Sequence, residues 1–146
     1  MILSFGDSHL GVKTYSTQDT EGFYTAERDS IKSLEEIYQR CTQGDITLLL
    51  GLGDICHTNN PTNKLITYLI DWFYGIDRLN IPTRIIPGNH DDSFYSHSLD
   101  FVRALHTSYV HLIDSTNAEE NYYDWQGWRI YFAPYCSSYN LKQKNA

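Results

Sequence analysis

The sequence predicts an α/β fold organised around a parallel sheet. Three short apolar runs alternate with two segments of helical periodicity. Each apolar run stops at a loop that carries glycine together with aspartate, and all three loops carry histidine. Right-handed crossovers between successive strands make those strands parallel and neighbouring. The loops after their C-terminal ends then line one ligand crevice.

Residues 1–5 read as a short buried strand stopped by Gly6. Residues 10–24 are polar and rich in Thr and Tyr, which predicts a long loop. From about Thr25 a helix is expected, because Ile31, Leu34, Ile37, Tyr38 and Cys41 recur at helical spacing until Gly44. Residues 45–50 form a second buried strand, followed by "GLGDICHTNNP". Asn60-Pro61 predicts an N-cap with proline at the first helical position. Leu65, Leu69, Trp72, Phe73, Ile76 and Leu79 then form the apolar stripe of a second helix. Residues 83–86 are a third strand, stopped by Pro87-Gly88.

Beyond residue 93 the pattern changes. Ser98 to Leu105 predicts a short helix, and "YVHLI", "NYYDW" and "WRIYFAPY" predict short strands. Gln126-Gly127 suits a hairpin turn between the last two. With no repeat, low-complexity tract or linker, residues 1–146 are expected to form a single domain.

Bulk composition narrows the function. The chain has 146 residues, is 41% hydrophobic and 20% charged, and carries a net charge of −7. That acidity argues against broad electrostatic capture of nucleic acid, although bound divalent cations change the local charge. Cys41, Cys56 and Cys136 are odd in number and far apart, which implies reduced thiols. The N-terminus lacks a basic segment and a long apolar stretch, and no apolar run approaches a membrane span. A cytoplasmic protein without membrane contact is expected.

The three loops hold the chemistry. The first offers Asp7 and His9, the second Asp54 and His57, the third Asn89, His90, Asp91 and Asp92. Asp-x-His also occurs as a capped turn, and Gly-Asp is a common turn dipeptide. Three such loops at successive strand ends are far more specific. Carboxylate, imidazole and amide oxygen together suit Mn²⁺, Fe or Zn²⁺ better than a calcium cage. Asp54, on the middle loop, is placed to bridge two ions, and a pair of ions roughly 3.5–4 Å apart can bind a phosphate and activate a shared water.

"GDSHLG", "GDICHTNNP" and "IPGNHD" resemble the first three motifs of the calcineurin-like metallophosphoesterases. Leu10-Gly11 and the Gly-Asp-x-x-His-x-x-x-Pro pattern narrow the resemblance to double-strand-break-repair nucleases. These are the SbcD-type exonuclease, its archaeal and eukaryotic counterparts, and the recombination-nuclease subunit of T-even-like phages. The resemblance implies a layered sandwich in which Asp7, His9 and Asp54 hold one divalent metal ion, while Asp54 and Asn89 hold a second. Mn²⁺ is the expected ion, with Fe, Zn²⁺ or Mg²⁺ as alternatives. It further implies that His90 touches the scissile phosphate and that His57 supports it. The implied activity is metal-dependent hydrolysis of DNA, as an exonuclease or endonuclease, with an SMC-like ABC ATPase as partner. Asp91 is expected to hydrogen-bond within its loop and Asp92 to be solvated.

The resemblance is clear over residues 1–92 and diffuse over 93–136. The family pattern continues with a further His and a terminal Gly-His-x-His, whereas this sequence has no His after His111. His97, His106 and His111 read as surface or packing residues. The chain therefore resembles the N-terminal half of such a domain, a β-α-β-α-β unit plus short C-terminal strands. The uncovered sheet face and strand edges imply an association surface, filled by a second chain completing the domain or by a homodimer partner. Only Lys13, Lys64 and Arg84 are basic near the loops, which argues against tight DNA binding by this chain alone. Two other functions fit the same residues: a phosphodiesterase for smaller substrates, and a non-catalytic module that binds a nuclease or ATPase.

Overall fold

A computed structural model describes residues 1–14, 16–92, 98–114 and 121–135. His97, Cys136 and the polar tail lie outside the described residues. The element order is β1 (Ile2–Phe5), α1 (Thr25–Cys41), β2 (Leu48–Leu52), α2 (Asn63–Arg78), β3 (Thr83–Ile86), α3 (Phe101–Ala104), β4 (Val110–Leu112), β5 (Tyr122–Trp125) and β6 (Trp128–Tyr131). Strands β1 to β4 form one sheet in sequence order, every pair parallel. The three predicted strands are thus neighbours, and "YVHLI" adds a fourth. No helix among the described residues is long and apolar enough to cross a membrane.

Strand alternation sorts the side chains. One row across the sheet is Leu3, Leu49, Thr83 and Val110, and the next is Phe5, Gly51, Ile85 and Leu112. Their apolar members pack with Ile31, Leu34 and Cys41 of α1 and with Leu65, Leu69, Trp72, Phe73 and Ile76 of α2. Both helices therefore cover the same face. Gly51 makes the second row possible, because a Cβ there would lie 2.7 Å from Ile85 Cδ1 and 3.2 Å from the Phe5 ring.

The start of α2 differs from expectation. The N-cap is Thr62, whose Oγ1 accepts the Leu65 N–H at 3.3 Å. Asn60-Pro61 lies just before it. Threonine closes the first turn with its own side chain, so the proline need not enter the helix.

The opposite sheet face is partly covered by β5 and β6, an antiparallel hairpin. Gln126 (φ 47°) and Gly127 (φ 85°) form its turn, the left-handed pair that a two-residue hairpin requires. Tyr123 lies beneath the Arg84 guanidinium at 4.2 Å, and Trp125 Nε1 donates to Thr47 Oγ1 at 3.3 Å. Coverage is incomplete. Leu52 at the end of β2 is 52% exposed, and Trp128 and Tyr131 of the hairpin are 72% and 68% exposed.

The loop before α1 is more ordered than its composition suggests. Asp19 accepts the N–H groups of Glu21 and Phe23, each at 2.9 Å, and Arg28 Nε at 2.6 Å. Phe23 is nearly buried, with Arg28 and Lys64 against its ring. The Arg28 hydrogen bond, aided by the two amides, holds the Asp19 carboxyl below its ordinary value. A carboxylate whose pKa is depressed by folding contributes stability above its unfolded pKa and loses it as pH falls. The urea midpoint of the wild type should therefore decline as pH drops below about 4, the ordinary carboxylate range. Asp19→Asn should show a shallower decline over the same window.

Candidate metal centre

The parallel ladder continues beyond the strands. Asp7 N–H donates to Gly53 O at 3.0 Å, His9 N–H to Asp54 O at 2.9 Å and Leu10 N–H to Ile55 O at 2.9 Å. His57 N–H then returns to Leu10 O at 2.7 Å. The loops after β1 and β2 are zipped side by side, so their polar backbone is paired without water.

The ladder carries an unusual backbone. Asp7, His9 and Asp54 have φ of 52°, 44° and 50°. These are left-handed conformations that cost L-residues about 1–2 kcal/mol each. Asp and His tolerate this region better than most residue types, and such outliers concentrate at functional sites.

Two groups of potential ligand atoms result. Asp7, His9 and Asp54 form one, and His9, His57 and His90 form the other; within each, the atoms lie within 4.8 Å of one another. His9 belongs to both. Its Nε2 is 3.9 Å from Asp7 Oδ1, and its Nδ1 is 3.5 Å from His57 Nδ1. The His57 and His90 rings stack at 5.3 Å, and His9 meets His90 edge-on at 4.8 Å. His90 Nδ1 is 3.0 Å from His57 O. A carbonyl only accepts, so Nδ1 presents its N–H there and Nε2 remains for a ligand or substrate.

The donor set fits a divalent ion. Two carboxylates and an imidazole converge, and the Asp7 side chain is 86% exposed, which leaves an approach from solvent. The mixed N/O set is one that Mn²⁺, Fe or Zn²⁺ accept.

The third loop presses against the second. His90 N–H donates to Asp54 Oδ1 at 2.8 Å. A Cβ on Gly88 would fall on Asp54 Oδ1 and the Asp54 nitrogen. Asp91 is fully buried, and its carboxylate reaches beyond its own loop to the Ile55 and Cys56 N–H groups at 3.3 and 2.8 Å. The within-loop role expected for Asp91 covers only its bond from Gly88 N–H at 2.9 Å. Asp92 is half-buried rather than solvated. Asn89 is exposed between Gly88 and His90. Burial pushes the Cys56 thiol up to about 12, so it stays neutral beside the site.

The remaining predicted residues lie elsewhere. His106 is exposed after α3, and His111 on β4 is 3.1 Å from Ser108 O. Neither joins a potential metal group among the described residues. Of the basic residues, Arg84 on β3 is stacked on Tyr123 of the hairpin. Lys13 lies 5.4 Å over the Tyr24 ring and lines a cavity of about 210 Å³ with Gly11, His57 and Asn60. The sequence marks Gly88 only as a strand stop and Ser98 only as a helix start, whereas in the fold Gly88 packs on Asp54 and the Ser98 hydroxyl donates to Asp91 at 3.0 Å.

A parallel sheet covered on one face by helices, with a carboxylate–imidazole cluster at its strand ends, defines a metallophosphoesterase-type fold. The match to known proteins agrees. Residues 1–140 match the calcineurin-like phosphoesterase family model, and the chain belongs to that family. It is 26% identical over 90 residues to the DNA double-strand break repair protein Mre11 of Saccharolobus solfataricus. That match covers 62% of this chain and 22% of the relative. The crystal structure of the Pseudomonas putida nuclease MPE shares the fold, with a TM-score of 0.51 and 18% identity. It aligns over 77% of this chain and 47% of that one. The chain thus spans about a fifth of the curated relative and about half of the solved one.

The contact between Gly88 and Asp54 leaves no room for a side chain. Gly88→Ala is expected to weaken Mn²⁺ binding at least tenfold, measured by calorimetry on folded protein.

Proposed function

We propose that this chain supplies the metal-binding half of a phosphodiester hydrolase acting on DNA. The convergence of Asp7, His9 and Asp54, with His57 and His90 beside them, carries this reading. The relatives' descriptions, a DNA double-strand break repair protein and a nuclease, support DNA as the substrate.

Asp7, His9 and Asp54 hold the first ion. Asp54 and the amide oxygen of Asn89 hold the second. Asp54 Oδ1 already accepts the His90 amide, which fixes the carboxylate between the loops. The ions, Mn²⁺ in this proposal, would polarise a bound phosphodiester and lower the pKa of a bound water. His90 contacts the scissile phosphate and assists the leaving oxygen, with its ring set by the His57 carbonyl. His57 supports it by stacking.

Lys13 and Lys64 are partly engaged with the Tyr24 and Phe23 rings, which supports weak DNA binding by this chain alone. DNA engagement then requires a partner. An SMC-like ABC ATPase, or a second chain seated on the incompletely covered sheet face where Leu52 is exposed, fits that need. A second reading has one specific observation in its favour. His9, His57 and His90 converge closely enough to hold a single ion themselves.

Calorimetric Mn²⁺ titration and cleavage of single- and double-stranded DNA test both readings on the same samples. Asp54→Asn should lose metal binding and cleavage together. His90→Ala should keep the metal and lose about 10²–10⁴-fold in cleavage rate. Unchanged Mn²⁺ binding in Asp54→Asn would refute the proposal. Loss of the metal in His90→Ala would favour the three-imidazole site.

A further inference from the structure

We propose that Asp91 is a positioning residue for the metal centre. Its carboxylate locks the loop carrying Asp54 and His57 to the loop carrying Asn89 and His90. The inference rests on the metal-centre reading above and goes beyond it to a residue that touches neither metal nor substrate.

Asp91 is fully buried, yet both oxygens are saturated. Oδ1 accepts the Cys56 N–H at 2.8 Å and the Ser98 hydroxyl at 3.0 Å. Oδ2 accepts the Gly88 N–H at 2.9 Å and the Ile55 N–H at 3.3 Å. Ser98 N–H in turn donates to the Asp91 carbonyl at 2.8 Å. A buried carboxylate is strongly unfavourable without partners, and here four donors supply them.

The donors are the ones that matter for the site. Ile55 and Cys56 immediately follow Asp54, and Gly88 immediately precedes Asn89. All three lie past the ends of β2 and β3, and their N–H groups donate to Asp91. Asp91 supplies the acceptor from inside the molecule. It therefore fixes Asp54 from the side opposite the β1 loop, whose His9 amide binds the Asp54 carbonyl. It also sets the short approach of Gly88 that presents the His90 amide to Asp54.

An asparagine cannot replace it. In either amide orientation an NH₂ group would face at least one backbone N–H, donor against donor. The loops would then separate or rotate, and ligand geometry would loosen although no ligand had changed. Groups that orient metal ligands in this way are worth about 10–100-fold in metal affinity.

The test compares wild type, Asp91→Asn, Ser98→Ala and Asp54→Asn as full chains. Mn²⁺ is titrated by calorimetry at a temperature where circular dichroism shows each variant folded. Thermal melts are recorded with and without Mn²⁺. Asp91→Asn should bind Mn²⁺ about 10–100-fold more weakly. Its Tm gain on adding Mn²⁺ should shrink accordingly, because ligand stabilisation follows affinity. A purely structural role would lower both melts equally and leave affinity intact, and that result would overturn the proposal. If Asp91→Asn does not fold, Ser98→Ala decides. It removes one hydrogen bond of the four and should weaken Mn²⁺ binding about 2–10-fold, whereas wild-type affinity would overturn the proposal. A wild type that binds no Mn²⁺ would refute the metal-centre reading itself, independently of Asp91.

Discussion

The proposed metal centre depends on a backbone constraint: three loops must leave a parallel sheet at the same end without exposing unpaired amides. Parallel strands alone do not guarantee this, because strand hydrogen bonds stop at Phe5, Leu52 and Ile86. Here the first two loops extend the ladder through Asp7, His9 and Leu10. The third is tied in by a buried carboxylate, Asp91. Left-handed φ at Asp7, His9 and Asp54 is the local cost of that arrangement. It is tolerated because the flanking amides are fixed by neighbours on both sides.

The rest of the fold keeps the strand ends in register. Both helices cover one face and pack against each other, with Trp72 Nε1 donating to Leu34 O at 2.9 Å. Gly51 lets Phe5 and Ile85 close over the middle strand directly beneath the site. The other face is only partly shielded by an aromatic hairpin. One surface of the sheet is thus committed to a rigid core, and the other retains apolar side chains suited to association.

Much of this is legible in the residue order. Strand and helix positions follow from apolar periodicity, and α1 begins at Thr25 as its spacing implies. Asp7, His9, Asp54, His57 and His90 stand out as candidates because Asp and His at three strand ends are chemically conspicuous, and the fold brings them together. What stays hidden is the scaffolding. Asp91 reads as a residue that hydrogen-bonds within its own loop, since its cross-loop partners, the Ile55 and Cys56 amides, leave no side-chain signature. Gly88 and Ser98 are equally silent. The N-cap of α2 is misplaced because Pro61 is a strong local signal, while the Thr62 hydroxyl prevails only once the chain is folded. The fourth sheet strand depends on where "YVHLI" docks, a tertiary choice that strand propensity does not determine.

Anomalous scattering from a crystal grown with Mn²⁺ would test the central claim most directly. The account predicts two peaks roughly 3.5–4 Å apart. One should be bound by Asp7, His9 and Asp54, and the other by Asp54 and Asn89. A single peak held by His9, His57 and His90, or density away from Asp54, would contradict it.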